Sequence, residues 1–458
     1  MEEIMAGKVI RAERMGTEPE GKLLLSMSAP LCISMLVQAL YNIVDSIFVS
    51  RIDEAALAAV SLAFPVQSLM ISFASGTAVG MNAYLSRSLG SGHKDIAQKA
   101  CYNGIFLELC NAIVFGLFGI FGTAAFFKVQ TGNQAIIDYG VEYLSIVCGC
   151  SFAFIFEMTF ERLLQATGNS FYNMISQTAG AVFNCIFDPI LIFGLLGFPK
   201  LGMKGAAIAT VTGQLLACIL ALIFNIKHNK DVDVIWKKFK PEGEIIKKIY
   251  EVGIPSIVMQ SITSITTYVL NQILIVYSEA AVTVYGIYFK LQSFVFMPCF
   301  GLNNGMVPII GYNYGAKKKS RIMNTIKYAV VSCTVVMLLG TALFALIPEP
   351  LLKLFNASGE LMDLGKIALR IIGTHFIFAG FNIVIGSVYQ ALGNGVYSLI
   401  TSVLRQIVVI LPVAYFLGKA FGVNAVWYAF PIAEIVATAT NIFLFKKIYK
   451  DRIVPLEY

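Results

Sequence analysis

Long apolar stretches separated by short polar loops follow one another along the whole chain. A helix that crosses the roughly 30 Å hydrocarbon core of a bilayer needs about 20 mainly apolar residues. Twelve stretches of the sequence reach that length. The pattern therefore predicts an all-α polytopic membrane protein, with spans at about 23–50, 56–86, 97–127, 136–165, 170–198, 203–226, 250–277, 280–312, 322–347, 361–391, 396–419 and 424–446.

The first half of the chain matches the second half when it is shifted by 225 residues. The register is ungapped for about 140 positions, and in it Pro30 falls on Pro255 and Gly90 on Gly315. It also pairs Glu54-Ala55-Ala56 with Glu279-Ala280-Ala281, Gln67-Ser68 with Gln292-Ser293, Gly76 with Gly301, Gly80-Met81 with Gly305-Met306, and Gln165-Ala166-Thr167-Gly168-Asn169 with Gln390-Ala391-Leu392-Gly393-Asn394. Each half holds six spans, so both halves insert in the same orientation and the repeat is parallel. Duplicated apolar halves are common in secondary transporters, where the substrate path lies between them.

The composition agrees with a membrane protein. Of the 458 residues, 57% are hydrophobic and only 13% are charged, whereas a soluble domain carries roughly 25% charge. The nine cysteines lie mostly inside apolar runs and are interpreted as small hydrophobic residues. The sequence has no phosphate-binding loop and no zinc-protease or CxxC motif, so no enzyme activity, cofactor or metal site is predicted. The first 20 residues are polar, which argues against a cleavable signal peptide.

Lysine and arginine gather in alternate loops, and cytoplasmic loops are the ones that carry more of these residues. The rich segments hold Lys8, Arg11, Arg14 and Lys22; Arg87, Lys94 and Lys99; Lys227, Lys230, Lys237, Lys238, Lys240, Lys247 and Lys248; Lys317, Lys318, Lys319, Arg321 and Lys327; and Lys446, Lys447, Lys450 and Arg452. The net charge of +7 is therefore attributed to topology, and no nucleic-acid partner is expected. A multi-pass protein of the cell membrane is predicted, with a cytoplasmic N-terminal segment 1–22, an N-lobe 23–226, a cytoplasmic linker 227–249, a C-lobe 250–446 and a cytoplasmic tail 447–458.

Ionisable residues at membrane depth are costly and usually functional. Asp45 lies in the first span, where Gln38, Tyr41, Asn42 and Asp45 share one face of a helix. The repeat places Leu270 opposite Asp45, so the scaffold is duplicated but this carboxylate is not.

A second carboxylate, Asp188, lies in the fifth span. Asn184 precedes it by one helical turn and faces the same way, and Pro189 frees a backbone carbonyl and favours a kink. Together with Asp45, Asp188 could take up a proton or could coordinate Na⁺ through oxygen atoms. The alternative is that each carboxylate only joins helices within its lobe.

Other polar residues are weaker candidates. Glu157, in the fourth span, is a secondary member of the coupling site. Gln67-Ser68 and Gln292-Ser293 either line the cleft symmetrically or join helices through hydrogen bonds. Glu434 and Arg405 are interpreted as a structural ion pair, and His375 as a core histidine that could also face the cleft. Lys290 replaces the aligned Pro65, and at that depth it needs a partner or reaches into the central cavity.

Several motifs resemble the multidrug and toxic compound extrusion (MATE) family over nearly the whole chain. They are Pro30 with Gln38, Tyr41, Asn42 and Asp45; Ala58-Ala59-Val60-Ser61; Leu89-Gly90 with Gly92; Leu164-Gln165-Ala166 with Gly168-Asn169; and Asn184 with Asp188-Pro189. The resemblance implies a V-shaped pair of six-helix bundles that expels amphipathic, often cationic, compounds against H⁺ or Na⁺. It also implies that Asp45, Asn184 and Asp188 take part in coupling.

The sequence departs from the family pattern in the C-lobe. Some members carry acidic residues in spans 7 and 10, where this chain has Gln260 and, in span 10, Arg370 and His375. Coupling is therefore expected through the N-lobe, with Gln260 as a candidate for the substrate cleft.

The sequence thus predicts a secondary antiporter that exchanges amphipathic, cationic compounds for H⁺ or Na⁺ and functions as a monomer in the bilayer. One alternative shares the fold: a flippase for lipid-linked saccharides, whose anionic head group would suit Lys290, Arg370 and Arg405. An intramembrane enzyme is disfavoured because the sequence has no clustered aspartates of the DDxxD type. A continuous channel is disfavoured because the buried carboxylates lie in one lobe.

Overall fold

The computed structural model describes residues 12–235, 239–355 and 357–456, and these residues form helices joined by short connections. We label the principal helices in chain order: α1 Glu20–Ser50, α2 Glu54–Gly90, α3 Lys94–Phe121, α4a Gln134–Gly149, α4b Ser151–Ala166, α5 Ser170–Phe193, α6 Met203–His228, α7 Gly243–Ile275, α8 Glu279–Gly315, α9 Lys319–Leu346, α10a Gly359–Gly373, α10b Phe376–Ala391, α11 Gly395–Phe421 and α12 Ala429–Ile448. The all-helical class predicted from the sequence is confirmed.

The number of membrane spans agrees closely with the prediction. Within the described residues, nine helices are long and apolar enough to cross a membrane, and two bent pairs raise that number to eleven. The twelfth predicted span corresponds to α7, which has 33 residues and so extends for about 50 Å. Its central turns are rich in serine and threonine, which explains why it is less apolar than the others.

Three predicted spans depart from a single straight helix. The fourth is bent by 44° between α4a and α4b, next to Gly149, and the tenth by 49° between α10a and α10b, just before His375. The third ends at Phe121, and after Gly122 a separate short helix covers Thr123–Gln130. Glycine adjoins each break, and its small size and backbone freedom permit a change of direction there.

The linker is shorter than predicted, because α6 continues to His228 and α7 already begins at Gly243. Part of the charge pattern lies outside the described residues, namely Lys8, Arg11, Lys237 and Lys238.

The two lobes, α1–α6 and α7–α12, meet where glycine allows backbones to approach closely. A Cβ added at Gly76 on α2 would lie 2.8 Å from the backbone nitrogen of Ile257 on α7. At the repeat-related position, a Cβ at Gly301 on α8 would lie 2.6 Å from the backbone nitrogen of Cys32 on α1. Ile257 and Cys32 are themselves 225 positions apart, so the two contacts are copies of each other.

The same relation holds towards the ends of these helices. Gly80 packs on Gly253, and Gly305 packs on Ser28, and in each case a new Cβ would lie 3.0 Å from the partner's backbone. Gly90 meets Tyr312, and Gly315 meets Arg87. The lobes are therefore related by a pseudo-two-fold axis, as the parallel repeat predicts. All these contacts lie in the half of the molecule that carries the basic loops, which we call the closed end.

A short turn, Ala12–Gly16, precedes α1 and docks on the opposite lobe at the closed end. The carbonyl oxygen of Met15 accepts hydrogen bonds from Asn313 at 2.8 Å and from Arg321 at 3.1 Å. Arg321 also donates to the carbonyl oxygen of Glu18. The side chain of Met15 is fully buried. This N-terminal turn therefore joins the N-lobe to α8 and α9 of the C-lobe.

The packing predicts that Gly80→Ala destabilises this arrangement of the lobes. The added methyl group would overlap the carbonyl oxygen of Ile249, a backbone atom that cannot rotate away. Overpacking of this kind costs about 1–3 kcal/mol. Thermal unfolding of the purified protein should therefore show a lower midpoint for Gly80→Ala. Gly286→Ala is the matched control, because a Cβ there meets no atom within 4 Å; equal midpoints for the two variants would contradict the packing argument.

Candidate functional site

Two carboxyl groups meet inside the N-lobe. Asp45 lies near the end of α1, Asp188 lies near the end of α5, and their side chains lie within hydrogen-bonding reach of each other. An ionised carboxylate can only accept hydrogen bonds, so a hydrogen bond between the two groups would require one proton. Asp188 is fully buried, and the Oδ1 atom of each residue is buried without a hydrogen-bond partner. The pair is thus equipped to hold a proton or another small cation.

Asn184 fixes the position of Asp188. With its amide group oriented to satisfy both neighbours, Asn184 donates to Oδ2 of Asp188 at 2.9 Å. Its carbonyl oxygen accepts from the backbone nitrogen of Thr210 at 3.0 Å and lies 3.3 Å from the Thr210 hydroxyl. Asn184 and Asp188 are one helical turn apart, so α5 presents both groups on one face, and α6 supplies the threonine. Asn184 and Asp188 therefore contact each other, as their spacing on one helix face predicts, and their role in coupling stays a prediction.

Two tyrosines complete the acidic site. Tyr41 lies beside both Asp45 and Asp188 and is hydrogen-bonded to the side chain of Thr210. Tyr143, from α4a, is buried near both carboxyl groups. Its hydroxyl accepts a hydrogen bond from Gln67 Nε2 at 3.1 Å. The site thus draws on α1, α2, α4a, α5 and α6 of one lobe.

The remaining N-lobe candidates lie at the surface or have other neighbours. Asn42 is exposed and Gln38 is half-buried on α1. The ionisable neighbour of Glu157 is Glu161, one turn further along α4b. Ser68 lies between the lobes, with its hydroxyl 3.1 Å from that of Ser264 on α7.

The C-lobe holds a different polar cluster, centred on Glu434 of α12. Glu434 Oε1 accepts from Arg405 at 2.6 Å, and Oε2 accepts from Asn382 at 2.6 Å. His375 Nδ1 lies 3.8 Å from Glu434, and His375 Nε2 is hydrogen-bonded to the Tyr288 hydroxyl at 2.9 Å. The predicted Arg405–Glu434 ion pair is therefore confirmed, and His375 is buried beside it.

A cavity of about 280 Å³ opens beside this cluster. Gln292, Ser293, His375, Arg405 and Glu434 line it, so three residues assigned to the cleft from the sequence or its repeat meet at one cavity. Three further predicted residues lie elsewhere: Lys290 and Arg370 are exposed, and Gln260 is half-buried on α7.

Two members of the acidic site, Tyr143 and Thr210, were missed by the sequence reasoning. Hydroxyl groups in a helix can bond to the carbonyl four residues back, so they occur in many membrane helices without a special role. Tyr143 and Thr210 differ from other hydroxyl residues of these helices only in their spatial position, beside the acidic pair and Asn184. The repeat carries no signal for them either, because it does not duplicate the carboxylates.

Comparison with known proteins places the two halves in one family. The MatE family model matches the chain twice, over residues 30–190 and 255–416. The matches begin 225 residues apart, which is the spacing of the internal repeat.

Similar sequences and structures extend over almost the full length. The multidrug export protein MepA of Staphylococcus haemolyticus is 28% identical over 431 residues, 92% of each chain. MepA of Staphylococcus aureus strain MRSA252 is 28% identical over 442 residues, 95% of each chain. A MOP superfamily transporter from Pyrococcus furiosus superposes with a TM-score of 0.90 at 25% identity, covering 98% of this chain and 99% of that one. An outward-facing structure of a multidrug resistance MATE family transporter gives the same values. These likenesses confirm the fold class that the sequence predicts.

The shared proton gives a spectroscopic prediction. Infrared difference spectra should show that Asp45→Asn and Asp188→Asn each remove a protonated-carboxyl stretching band, because an amide partner can donate to the remaining carboxylate and no proton has to be shared. Ser46→Ala is the control, since Ser46 is exposed and its hydroxyl donates to the Asn42 carbonyl of its own helix at 2.8 Å. Retention of the band in both aspartate variants would show that the two residues do not share a proton.

Proposed function

The chain belongs to the MatE family, and we propose that it is a multidrug efflux antiporter that exchanges amphipathic, cationic compounds for protons. The observation that carries this proposal is the pair of Asp45 and Asp188, which lie within hydrogen-bonding reach of each other inside the N-lobe, with Asp188 fully buried and Asp45 half-buried. Export of several drugs is what the names of its MepA relatives describe. Membership of a transporter family also accounts for a polytopic chain in which no catalytic motif was found.

The acidic pair supplies the competition that exchange requires. With its shared proton lost, the pair carries two negative charges in a medium of low dielectric constant and attracts a cationic compound strongly. Uptake of the shared proton removes one of the two negative charges and so weakens the attraction. A ligand shifts a conformational equilibrium only through different affinities for the two states, and here the proton and the cation favour opposite charge states of one site.

We favour H⁺ over Na⁺ as the coupling ion. The two carboxyl groups lie within hydrogen-bonding reach of each other, so a single proton can be shared between them. Oxygen atoms of Tyr41, Asn184 and Thr210 surround the pair, so Na⁺ is the competing hypothesis that the experiment below must test.

Transport would proceed by alternating access between the lobes. The interlobe glycine contacts lie at the end with the basic loops, and by the positive-inside rule that end faces the cytoplasm. Both polar clusters lie in the opposite halves of their lobes, towards the ends of α1 and α5 and the start of α8 and α12. This arrangement corresponds to a cleft that is closed inside and open outside. Each protein would carry one such cleft and would function as a monomer in the cell membrane.

The flippase alternative loses part of its support. It relied on three C-lobe cations, but the charge of Arg405 is compensated by Glu434 at 2.6 Å. Lys290 and Arg370 are both exposed. A lipid-linked substrate remains the hypothesis to consider if cationic compounds are not transported.

The decisive test is ethidium efflux from proteoliposomes, driven separately by a pH gradient and by a Na⁺ gradient. Wild type should respond to the pH gradient, and Asp45→Asn should fall to the rate of protein-free liposomes because its site no longer releases a proton. Ser46→Ala, one position away on the exposed face of α1, should transport at the wild-type rate.

Three other outcomes of the efflux experiment would each contradict a different part of the proposal. Efflux driven by Na⁺ alone would replace the proton with Na⁺ at the same site. Efflux by Asp45→Asn at the wild-type rate would remove the acidic pair from the mechanism. The absence of any gradient-driven flux of ethidium in wild type would favour the lipid-linked substrate.

A further inference from the structure

The cavity in the C-lobe is surrounded by helices that are irregular at the residues facing it. In α11, residues Leu404–Ile410 form a π-helical segment, and Arg405 lies within it. The bend between α10a and α10b falls at His375. Single-turn π segments are rare and occur frequently at functional sites. The two irregular positions bring their side chains to the same carboxylate, Glu434.

Glu434 orients Arg405 towards the cavity. The carboxylate is buried with 4% of its side chain exposed, and it is held by both Asn382 and Arg405. Arg405 retains 26% exposure and lines the cavity. A guanidinium group has five N–H donors in a rigid plane, and NH1 bonds to Glu434. Among the residues that the structure describes, none accepts a hydrogen bond from the other donors of Arg405, so these donors are available to a ligand in the cavity.

The other walls are aromatic and hydroxylic. Phenyl and phenol rings come mainly from α8, and three hydroxyl groups come from the unusually polar middle of α7; they include Tyr285, Phe289, Phe296, Thr263, Thr266 and Thr267. The volume of about 280 Å³ lies just below the roughly 300–1,000 Å³ of ordinary ligand pockets. The cavity therefore suits a compact, flat compound of about two fused rings.

The cluster exists in one lobe only. The repeat places Ala63 opposite Tyr288, Cys150 opposite His375 and Gly180 opposite Arg405. None of these residues can supply a charge or a comparable hydrogen bond. The C-lobe has therefore acquired a polar site of its own, separate from the acidic pair in the N-lobe.

The charges of this site differ in kind from those of the acidic pair. Arg405 and Glu434 neutralise each other, so the cavity has no excess negative charge to attract a cation, while free N–H groups remain to meet an acceptor. We propose that the C-lobe cavity binds planar aromatic compounds that are uncharged and carry a carbonyl oxygen, which accepts a hydrogen bond from Arg405. This assignment rests on the transport function proposed above and adds a second class of substrate to it.

Binding without transport tests the assignment. The probe is radiolabelled coumarin, a flat, uncharged two-ring lactone with a carbonyl oxygen, and naphthalene is its matched analogue without an acceptor. Equilibrium dialysis would use the full chain in nanodiscs, with empty nanodiscs as the blank. Wild type should bind coumarin at least about ten-fold more tightly than naphthalene, a difference of about 1.4 kcal/mol.

Two variants locate the site. Ser293 lines the cavity, and its hydroxyl bonds only to the Phe289 carbonyl of its own helix. Ser293→Phe should fill the cavity and weaken coumarin binding by about ten-fold or more. Thr283→Phe is the matched control and should retain coumarin binding, because Thr283 is exposed on the same helix and does not line the cavity. The double variant Arg405→Met with Glu434→Met removes both charges together, so that neither is left buried alone. It should lower the affinity for coumarin to that for naphthalene.

Three results would overturn the proposal. Unchanged coumarin binding in Ser293→Phe would place the ligand elsewhere, and equal affinity of wild type for coumarin and naphthalene would show that no acceptor is recognised. Competitive displacement of coumarin by ethidium would show a single shared site. Failure of gradient-driven ethidium efflux, together with intact coumarin binding, would instead overturn the antiport function and leave the cavity assignment standing.

Discussion

The close approach of four glycine positions to the backbone of the opposite lobe determines how the two bundles are arranged. Lipid tails are as apolar as the helix surfaces, so helices in a membrane associate largely through tight packing and hydrogen bonds. Gly76 and Gly301 supply such packing near the middle of the lobe interface, and Gly80 and Gly305 supply it one turn nearer the closed end. Because the repeat makes each of these glycine contacts twice, this part of the interface is symmetric. The polar clusters lie beyond these contacts, in the opposite half of each lobe.

A symmetric scaffold here carries asymmetric chemistry. Packing positions are kept in both copies, since a side chain at either would separate the lobes. The positions of Asp45 and Asp188 are occupied in the other half by Leu270 and Val413. Conversely, the ion pair of Arg405 has no counterpart in the N-lobe. The two halves thus share the packing positions that the fold requires. They differ in their charged groups, which are a carboxyl pair in the N-lobe and an ion pair in the C-lobe.

Much of this organisation could be predicted from the sequence, and the exceptions have physical reasons. The first span was predicted at 23–50 and is observed at Glu20–Ser50. A long apolar segment in lipid has to satisfy its backbone hydrogen bonds internally, and a helix does so. Asp45 and Asp188 stood out because charge is rare there. The bends beside Gly149 and His375 were missed, since a change of helix direction leaves hydropathy unaltered. The C-lobe cavity was missed because its hydroxyl groups come from α7 and its guanidinium from α11, and no local pattern links the two.

The N-terminal turn adds a contact between the lobes that lies outside the transmembrane helices. Asn313 and Arg321 hold the carbonyl oxygen of Met15, and Lys318 holds that of Gly16 at 2.6 Å. The oxygens that accept these bonds belong to the main chain of a segment that precedes the first span. They are far along the chain from both polar clusters and take no part in either. Any movement that separates the lobes at this end has to break these bonds. The placement of the two lobes at this end therefore depends partly on main-chain oxygens of a buried turn that precedes α1, and not on the packing of the membrane-spanning helices alone.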